Sequence, residues 1–290
     1  MNLREWFDST LVVAILILVL SQPSLAAFEE RKSGARPWGM GGAFTAIAGD
    51  INAIYWNPAG LGQLETTELA ATYTEESGFE ELEYGLISFA SHLGVLGTVA
   101  LSANRFGSGI YKEYTYIVSG ARKFSENIYL GVNLKYLRMD IEGDQAGSDV
   151  GLDFGFLCNF RDGQLVFGLT GFNLNKPHVG EDLPRRFTVG LAYKPVSRLI
   201  LALDYGRIRD GRADDDQFRV GFEYRWFRHL ALRYGVASDP DRWTAGLGFT
   251  MKSLQLDYAY LSHPDFDPTH MVGLTLRFGP RESGDCQREE

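Results

Sequence analysis

Residues 217–226 read QFRVGFEYRW, and apolar and polar positions alternate without a break. Phe218, Val220, Phe222, Tyr224 and Trp226 share one face, and Gln217, Arg219, Gly221, Glu223 and Arg225 share the other. A period of two marks a strand, whose successive side chains point to opposite sides. The rhythm recurs where Leu230, Leu232, Tyr234 and Val236 oppose Ala231, Arg233 and Gly235. It recurs where Ile128, Leu130, Val132 and Leu134 oppose Tyr129, Gly131, Asn133 and Lys135, and where Val272, Leu274, Leu276 and Phe278 oppose Gly273, Thr275 and Arg277. No helical template fits these segments.

Followed along the chain, the pattern predicts strands at 66–75, 82–90, 95–104, 113–122, 127–139, 149–160, 163–172, 185–194, 197–206, 216–226, 229–237, 242–251, 253–261 and 270–278. That makes about fourteen, an even number, as expected of a bacterial outer-membrane barrel. A strand of ~10 residues rising ~3.3 Å each and tilted ~40° covers about 25 Å, the height of an outer-membrane apolar band. Tight connections at 91–94, 161–163, 195–197 and 252–253 alternate with longer ones at 75–81, 140–148, 173–184 and 207–216. Short periplasmic turns and longer outer loops alternate in such barrels, which places both termini in the periplasm. Tyr114, Tyr136, Tyr205, Trp243 and Tyr260 then fall near the outer rim, and Phe124, Phe160, Tyr193, Trp226 and Phe278 near the inner one. Amphipathic rings belong at lipid–water boundaries. A secreted soluble β-sandwich also alternates, with its apolar face inward. Against it, nearly every strand carries a Leu-, Phe- and Tyr-rich face with no edge left over. The opposite faces mix small residues with both signs of charge, including Arg219, Glu223, Arg225, Arg233, Asp257 and Arg277. Such faces suit a polar lumen.

Two segments precede the strands. LVVAILILVL at 11–20 follows a polar stretch with Arg4 and is followed by Ser24, Ala26 and Ala27. It is too short to span ~30 Å of hydrocarbon and reads as a signal peptide, 1–26. Glu5 and Asp8 dilute its basic start. Residues 27–65 include ARPWGMGGAFTAIAGDINAIYWNPAGL, too glycine-rich and broken to span a membrane. Gly39, Gly41 and Gly42 permit close backbone approach, Ala43, Phe44, Ala46 and Ile47 have the spacing of one face of a short helix, and Asp50 and Asn52 suit a cap or turn. Pro58 holds Asn57 extended, and Gly60 allows a turn into the first strand. A barrel spans 66–278 and a polar tail 279–290.

Charge and chemistry narrow the function. The net charge of -9 argues against nucleic acid. Cys158 and Cys286 are the two cysteines, no disulfide framework. The glycines at 39, 41 and 42 lack nucleotide-loop spacing. His92, His178, His229, His263 and His270 are scattered, so neither a metal site nor a cofactor is expected. Ser262 and His263 with Asp265 and Asp267 form a weak catalytic set in one outer loop, and no enzyme is expected. Asp214, Asp215 and Asp216 suit a divalent cation shared with lipopolysaccharide.

The segment GMGGAFTAIAGDINAIYWNPAGL at 39–61, with the strand series after it, resembles the PorV/PorQ family of outer-membrane proteins, itself similar to FadL-type transporters of hydrophobic compounds. DLPRRFTVGLAYKP at 182–195, LILALDYG at 199–206 and HMVGLTLRF at 270–278 share in the likeness, and Asn57-Pro58-Ala59 carries it most sharply. Gly273, Leu276 and Phe278 look like the family's barrel-insertion signal, although the chain continues beyond the terminal aromatic. The resemblance implies a transmembrane antiparallel β-barrel, all-β, with the N-terminal segment folded into the lumen as a hatch. Gly39, Gly41, Gly42, Asn57, Pro58, Ala59 and Gly60 would be its gating residues, or a purely structural turn at Asn57-Pro58-Ala59. Two functions follow. One is passive transport of hydrophobic or amphipathic small molecules. The other is a docking role in type IX-like secretion, as some relatives have. A monomer in the outer membrane is expected, contacting lipid, lipopolysaccharide and the barrel assembly machinery.

Overall fold

The structure is a computed structural model that describes residues 28, 33–75, 83–142, 147–209, 214–238, 241–264 and 266–279. The expected signal peptide, Cys286, Asp265 and the tail from residue 280 lie outside the described residues.

Strands β1 (Thr67–Glu75), β2 (Glu83–His92), β3 (Thr98–Ser108), β4 (Tyr111–Lys123), β5 (Ile128–Ile141), β6 (Gly147–Phe160) and β7 (Leu165–Phe172) make the first half of the wall. After the short pair β8 (His178–Val179) and β9 (Glu181–Asp182) come β10 (Arg185–Val196), β11 (Leu199–Arg209), β12 (Asp214–Phe227), β13 (Leu230–Ala237), β14 (Arg242–Met251), β15 (Leu254–Leu261) and β16 (Thr269–Phe278). All but β8 and β9 form one closed antiparallel barrel of 14 strands in sequential order. β16 returns to β1 with Thr67 opposite Phe278, so no edge is left unpaired.

The two faces are sorted as the alternation requires, and against the rule for a water-soluble core. On β12, Phe218 is 55% and Val220 48% exposed, whereas Arg219 is 6% and Glu223 3% exposed. Apolar side chains therefore face outward and charges inward. Nine of the ten aromatics assigned to the two rims lie within four residues of the strand ends expected, with Trp243 stacked on Tyr260 at one end and exposed Phe124, Trp226 and Phe278 at the other. Tyr136 instead lies five residues inside β5, which runs on to Ile141.

Two connections differ from expectation. The β2–β3 turn is longer than 91–94, because Gly94 and Gly97 take positive φ (61° and 87°) around a 3-10 turn, Gly94–Leu96. Val95 and Leu96 thus sit in the turn, exposed, rather than starting β3. The 173–184 loop carries β8 and β9 and folds inward. It buries Val179 and Leu183 against Leu137, with Met139 and Phe28 packed beside them. Below, the short-turn end is the one where β1 starts and β16 finishes, and the opposite end is the long-loop end.

Candidate functional site in the lumen

Residues 33–64 run through the barrel interior and supply most of its core, with Met40, Phe44, Ile51, Ile54 and Leu61 essentially inaccessible. α1 (Ala35–Gly39) is one turn, ended by Gly41 and Gly42 at φ 66° and 74°. The short helix expected at 43–47 is absent. After that left-handed pair, the amides of Phe44 and Thr45 bind Asp204 of the wall (3.0 and 2.9 Å) instead of carbonyls of their own turn. Asp50 accepts the Asn52 amide at 2.9 Å and opens α2 (Ala53–Trp56), which fits its expected turn role. Asn57 is extended (φ −161°), as the following proline requires, and its Oδ1 accepts the Ala59 amide at 3.2 Å. Pro58 begins a 3-10 turn, Pro58–Gln63. Gly60 passes so close to Ala48 that a Cβ would lie 1.5 Å from its carbonyl oxygen.

Pairs of lumen glycines, opposite each other on neighbouring strands, let this backbone lie on the wall. Gly131 and Gly155 face each other across β5 and β6. A Cβ on Gly131 would lie 2.2 Å from the Pro58 carbonyl carbon, and one on Gly155 2.3 Å from Asn57 Oδ1. Gly168 and Gly190 pair across β7 and β10 and receive Thr45 and Ala46, the Gly168 Cβ position being 2.5 Å from the Thr45 carbonyl oxygen. Gly221 and Gly235 pair across β12 and β13, where the Gly235 position is 2.2 Å from the Gly41 nitrogen. Asn57 completes its seat by donating from Nδ2 to the carbonyls of Thr45 (2.8 Å) and Phe156 (3.1 Å).

Ion pairs fasten the other side. Arg36 donates to both oxygens of Glu223 at 2.9 Å and to Asp50 at 2.7 Å. Arg233 donates to Glu223 and to Asp257, each at 2.7 Å. The chain is therefore Asp50–Arg36–Glu223–Arg233–Asp257, linking the inner segment to β12, β13 and β15. Glu68 on β1 accepts from Arg277 on β16 (2.8 Å) and from the Ile51 amide (3.0 Å). Arg219 lies over the rings of Trp38 and Trp56, 6.0 and 5.7 Å from their centroids. Asp204 is fully buried. Asp204→Ala leaves two buried amides without an acceptor, at about 1–3 kcal/mol per group. It should speed amide exchange at Phe44 and Thr45, whereas Asp204→Asn, which keeps an acceptor oxygen, should change it much less.

The long-loop half of the lumen carries two small apolar clusters beside buried Asn104, Glu113 and Gln217. Tyr84, Leu86 and Phe106 cluster with Tyr55 and Tyr111, and Leu137, Val179 and Leu183 form a second group that Phe28 joins. Two shallow, open depressions lie outside the inner segment. One of about 460 Å³ opens at the long-loop rim between Arg242, Trp243 and His263. One of about 480 Å³ opens on the wall beside Gly85, Ile87, Arg105 and Tyr116.

The expected site residues divide clearly. Gly39, Gly41, Gly42, Asn57, Pro58, Ala59 and Gly60 all lie in the inner segment, and Arg219, Glu223, Arg233 and Asp257 are buried in the lumen. Arg277 is drawn to Glu68 at the β1–β16 seam. Arg225 does not join them, because the β12–β13 register shifts between Arg225 and Phe227 and leaves it exposed at the short-turn mouth. Gly273, Leu276 and Phe278 lie on β16, paired with Thr72, Leu69 and Thr67 of β1. Among the described residues of the rim set, Ser262 and His263 are engaged with backbone groups. The Ser262 hydroxyl binds the backbone of Trp243, and His263 accepts the Phe266 amide. Asp216 faces Tyr205 (2.9 Å) and Arg207 (3.7 Å). Arg36, Glu68, Asp204 and the three glycine pairs were not expected as functional. The alternation already placed Gly131, Gly221 and Gly235 on lumen faces, which was the available signal.

No family model and no curated protein matches the chain. Solved structures do. The CymD monoaromatic hydrocarbon channel superposes with a TM-score of 0.69 at 14% identity, over 88% of this chain and 100% of that one. The protein shares the fold of that channel. The Pseudomonas putida toluene transporter TodX follows with a TM-score of 0.63 at 13% identity, over 87% of this chain and 100% of its own. A Pseudomonas aeruginosa FadL homologue has a TM-score of 0.60 at 13% identity, over 85% and 98%. The shared fold therefore covers 85–88% of this chain.

Proposed function

We propose that the protein is an outer-membrane barrel of the PorV/PorQ–FadL-like type that passes a small hydrophobic or amphipathic molecule, with residues 33–64 as its hatch. One observation carries the reading. The lumen is filled by a segment fastened at discrete points, with two small apolar clusters in the long-loop half that suit a hydrophobic guest. The outward apolar face fits a lipid environment, and the fold neighbours named as hydrocarbon channels agree with such a cargo. Under this reading the long loops face outward and the short turns face the periplasm.

A second reading, docking in a secretion or surface-assembly system, is favoured by the charge chain through the lumen. Uptake separates the two. The folded barrel in liposomes is expected to take up labelled toluene or a long-chain fatty acid saturably. Asn57→Ala with Pro58→Ala removes the bonds to Thr45 and Phe156, and should raise that uptake several-fold. A folded barrel with no uptake above empty liposomes would remove the transport reading and leave docking.

A further inference from the structure

The short-turn end of the barrel has a composition that neither the fold nor cargo passage demands. Six turns ring this mouth, joining β2 to β3, β4 to β5, β6 to β7, β10 to β11, β12 to β13 and β14 to β15. Each carries an exposed apolar side chain at or beside its tip: Val95, Phe124, Phe160, Val196, Phe227 and Met251. Val95 is 85% and Phe124 74% exposed, values that water-facing turns normally reserve for polar residues. Five of the six turns place a cation beside the apolar residue, namely Lys123, Arg161, Arg198, Arg228 and Lys252, all exposed. Among the described residues, the exposed acids at this end are Glu65, Glu126 and Asp162. This basic rim belongs to a chain whose net charge is -9.

We infer that this rim is a docking surface for anionic phospholipid headgroups of the leaflet at the short-turn end. The inference rests on the membrane-barrel reading above. Three features point to lipid as the occupant. The apolar tips continue the outward apolar face of the wall onto the turns. The cations sit where headgroup phosphates begin, and the charges are complementary. The residues also encircle the whole mouth, a distribution that a leaflet surrounds on all sides and a single protein partner does not.

Trp226 stands at this end and Trp243 at the other, so each reports on its own leaflet. The barrel would be placed in phosphatidylcholine vesicles containing brominated phosphatidylglycerol or brominated phosphatidylcholine at equal mole fraction. With Trp243→Phe, the lipid-quenchable emission is that of Trp226, since Trp38 and Trp56 are buried in the lumen. It should be quenched about twofold more by the anionic lipid, from its enrichment near surface cations. High salt should abolish the difference, as should Arg161→Gln, Arg198→Gln, Arg228→Gln and Lys252→Gln together, which removes the cation of the turn beside Trp226 and those of the neighbouring turns. With Trp226→Phe, Trp243 should show no preference. Equal quenching of Trp226 by both lipids, or a preference that survives the fourfold change, would overturn the inference. Because the salt comparison uses unchanged cations, it stands even if the fourfold variant fails to fold. A barrel that inserts into neither vesicle, seen as loss of heat-modifiable migration, would instead sink the membrane reading itself.

Discussion

Gly131→Val combined with Gly155→Val should expel the Asn57–Ala59 turn and convert a closed barrel into a conducting one. Both Cβ positions fall 2.2–2.9 Å from atoms of Asn57, Pro58 and Ala59, several of them backbone. One side must give. The wall residues are held by hydrogen-bonded neighbours on both flanks, since β5 pairs with β4 and β6, and β6 with β5 and β7. The backbone bonds of the turn stay within the inner segment, and the Asn57 side chain and packing join it to the wall, so the turn moves. Overpacking of this kind costs about 1–3 kcal/mol per site, and the two adjacent sites are coupled rather than additive. Planar-bilayer recording should show a steady conductance in the variant and near silence in the parent. Gly120→Val is the matched control, because a Cβ there meets nothing within 4 Å. Silence in the double variant, with unchanged thermal stability, would mean that the turn does not rest on this glycine pair.

Arg36→Ala should have the largest effect on stability. It removes the cation between Asp50 and Glu223, whose side chains are 5% and 3% exposed. Breaking a buried pair from one side costs about 3–5 kcal/mol, because the charge left behind keeps its desolvation penalty. Glu223 retains Arg233, which places the expected loss near the lower end, at about 3 kcal/mol. Denaturant unfolding in detergent would read it, and limited proteolysis should cut within 33–64 before the wall is touched. Arg36→Lys should recover only part, since a point cation cannot grip both oxygens of Glu223 and also reach Asp50. A stability loss that persists undiminished in a Glu223→Gln background would show that Arg36 acts through something other than this pair.

Much of the wall was legible because lipid and lumen impose opposite demands on neighbouring residues. Phe218 beside Arg219, repeated strand after strand, fixes both the period and the face. The inner segment was harder to read. Its location could be expected from Asn57-Pro58-Ala59 and its glycines, but its fastening could not. Arg36 finds Glu223 187 positions away, and no local pattern encodes such a meeting. A lumen glycine such as Gly131 looks in sequence like any small spacer. Only the turn lying across it shows that a methyl group is forbidden. The expected helix at 43–47 failed for a related reason, because spacing ignores a carboxylate from another strand that claims the amides of Phe44 and Thr45. Two-residue strands such as β8 and β9 are too short for periodicity to reveal.

The double role of Glu68 bears on how the barrel is completed. Its two oxygens answer to different parts of the chain, one to Arg277 across the junction of first and last strands and the other to the backbone at Ile51. Closure of the cylinder and filling of its interior therefore share one carboxylate. A cylinder zipped shut while still hollow would have a defect at its own joint, so the chronology of biogenesis favours loading first and sealing last.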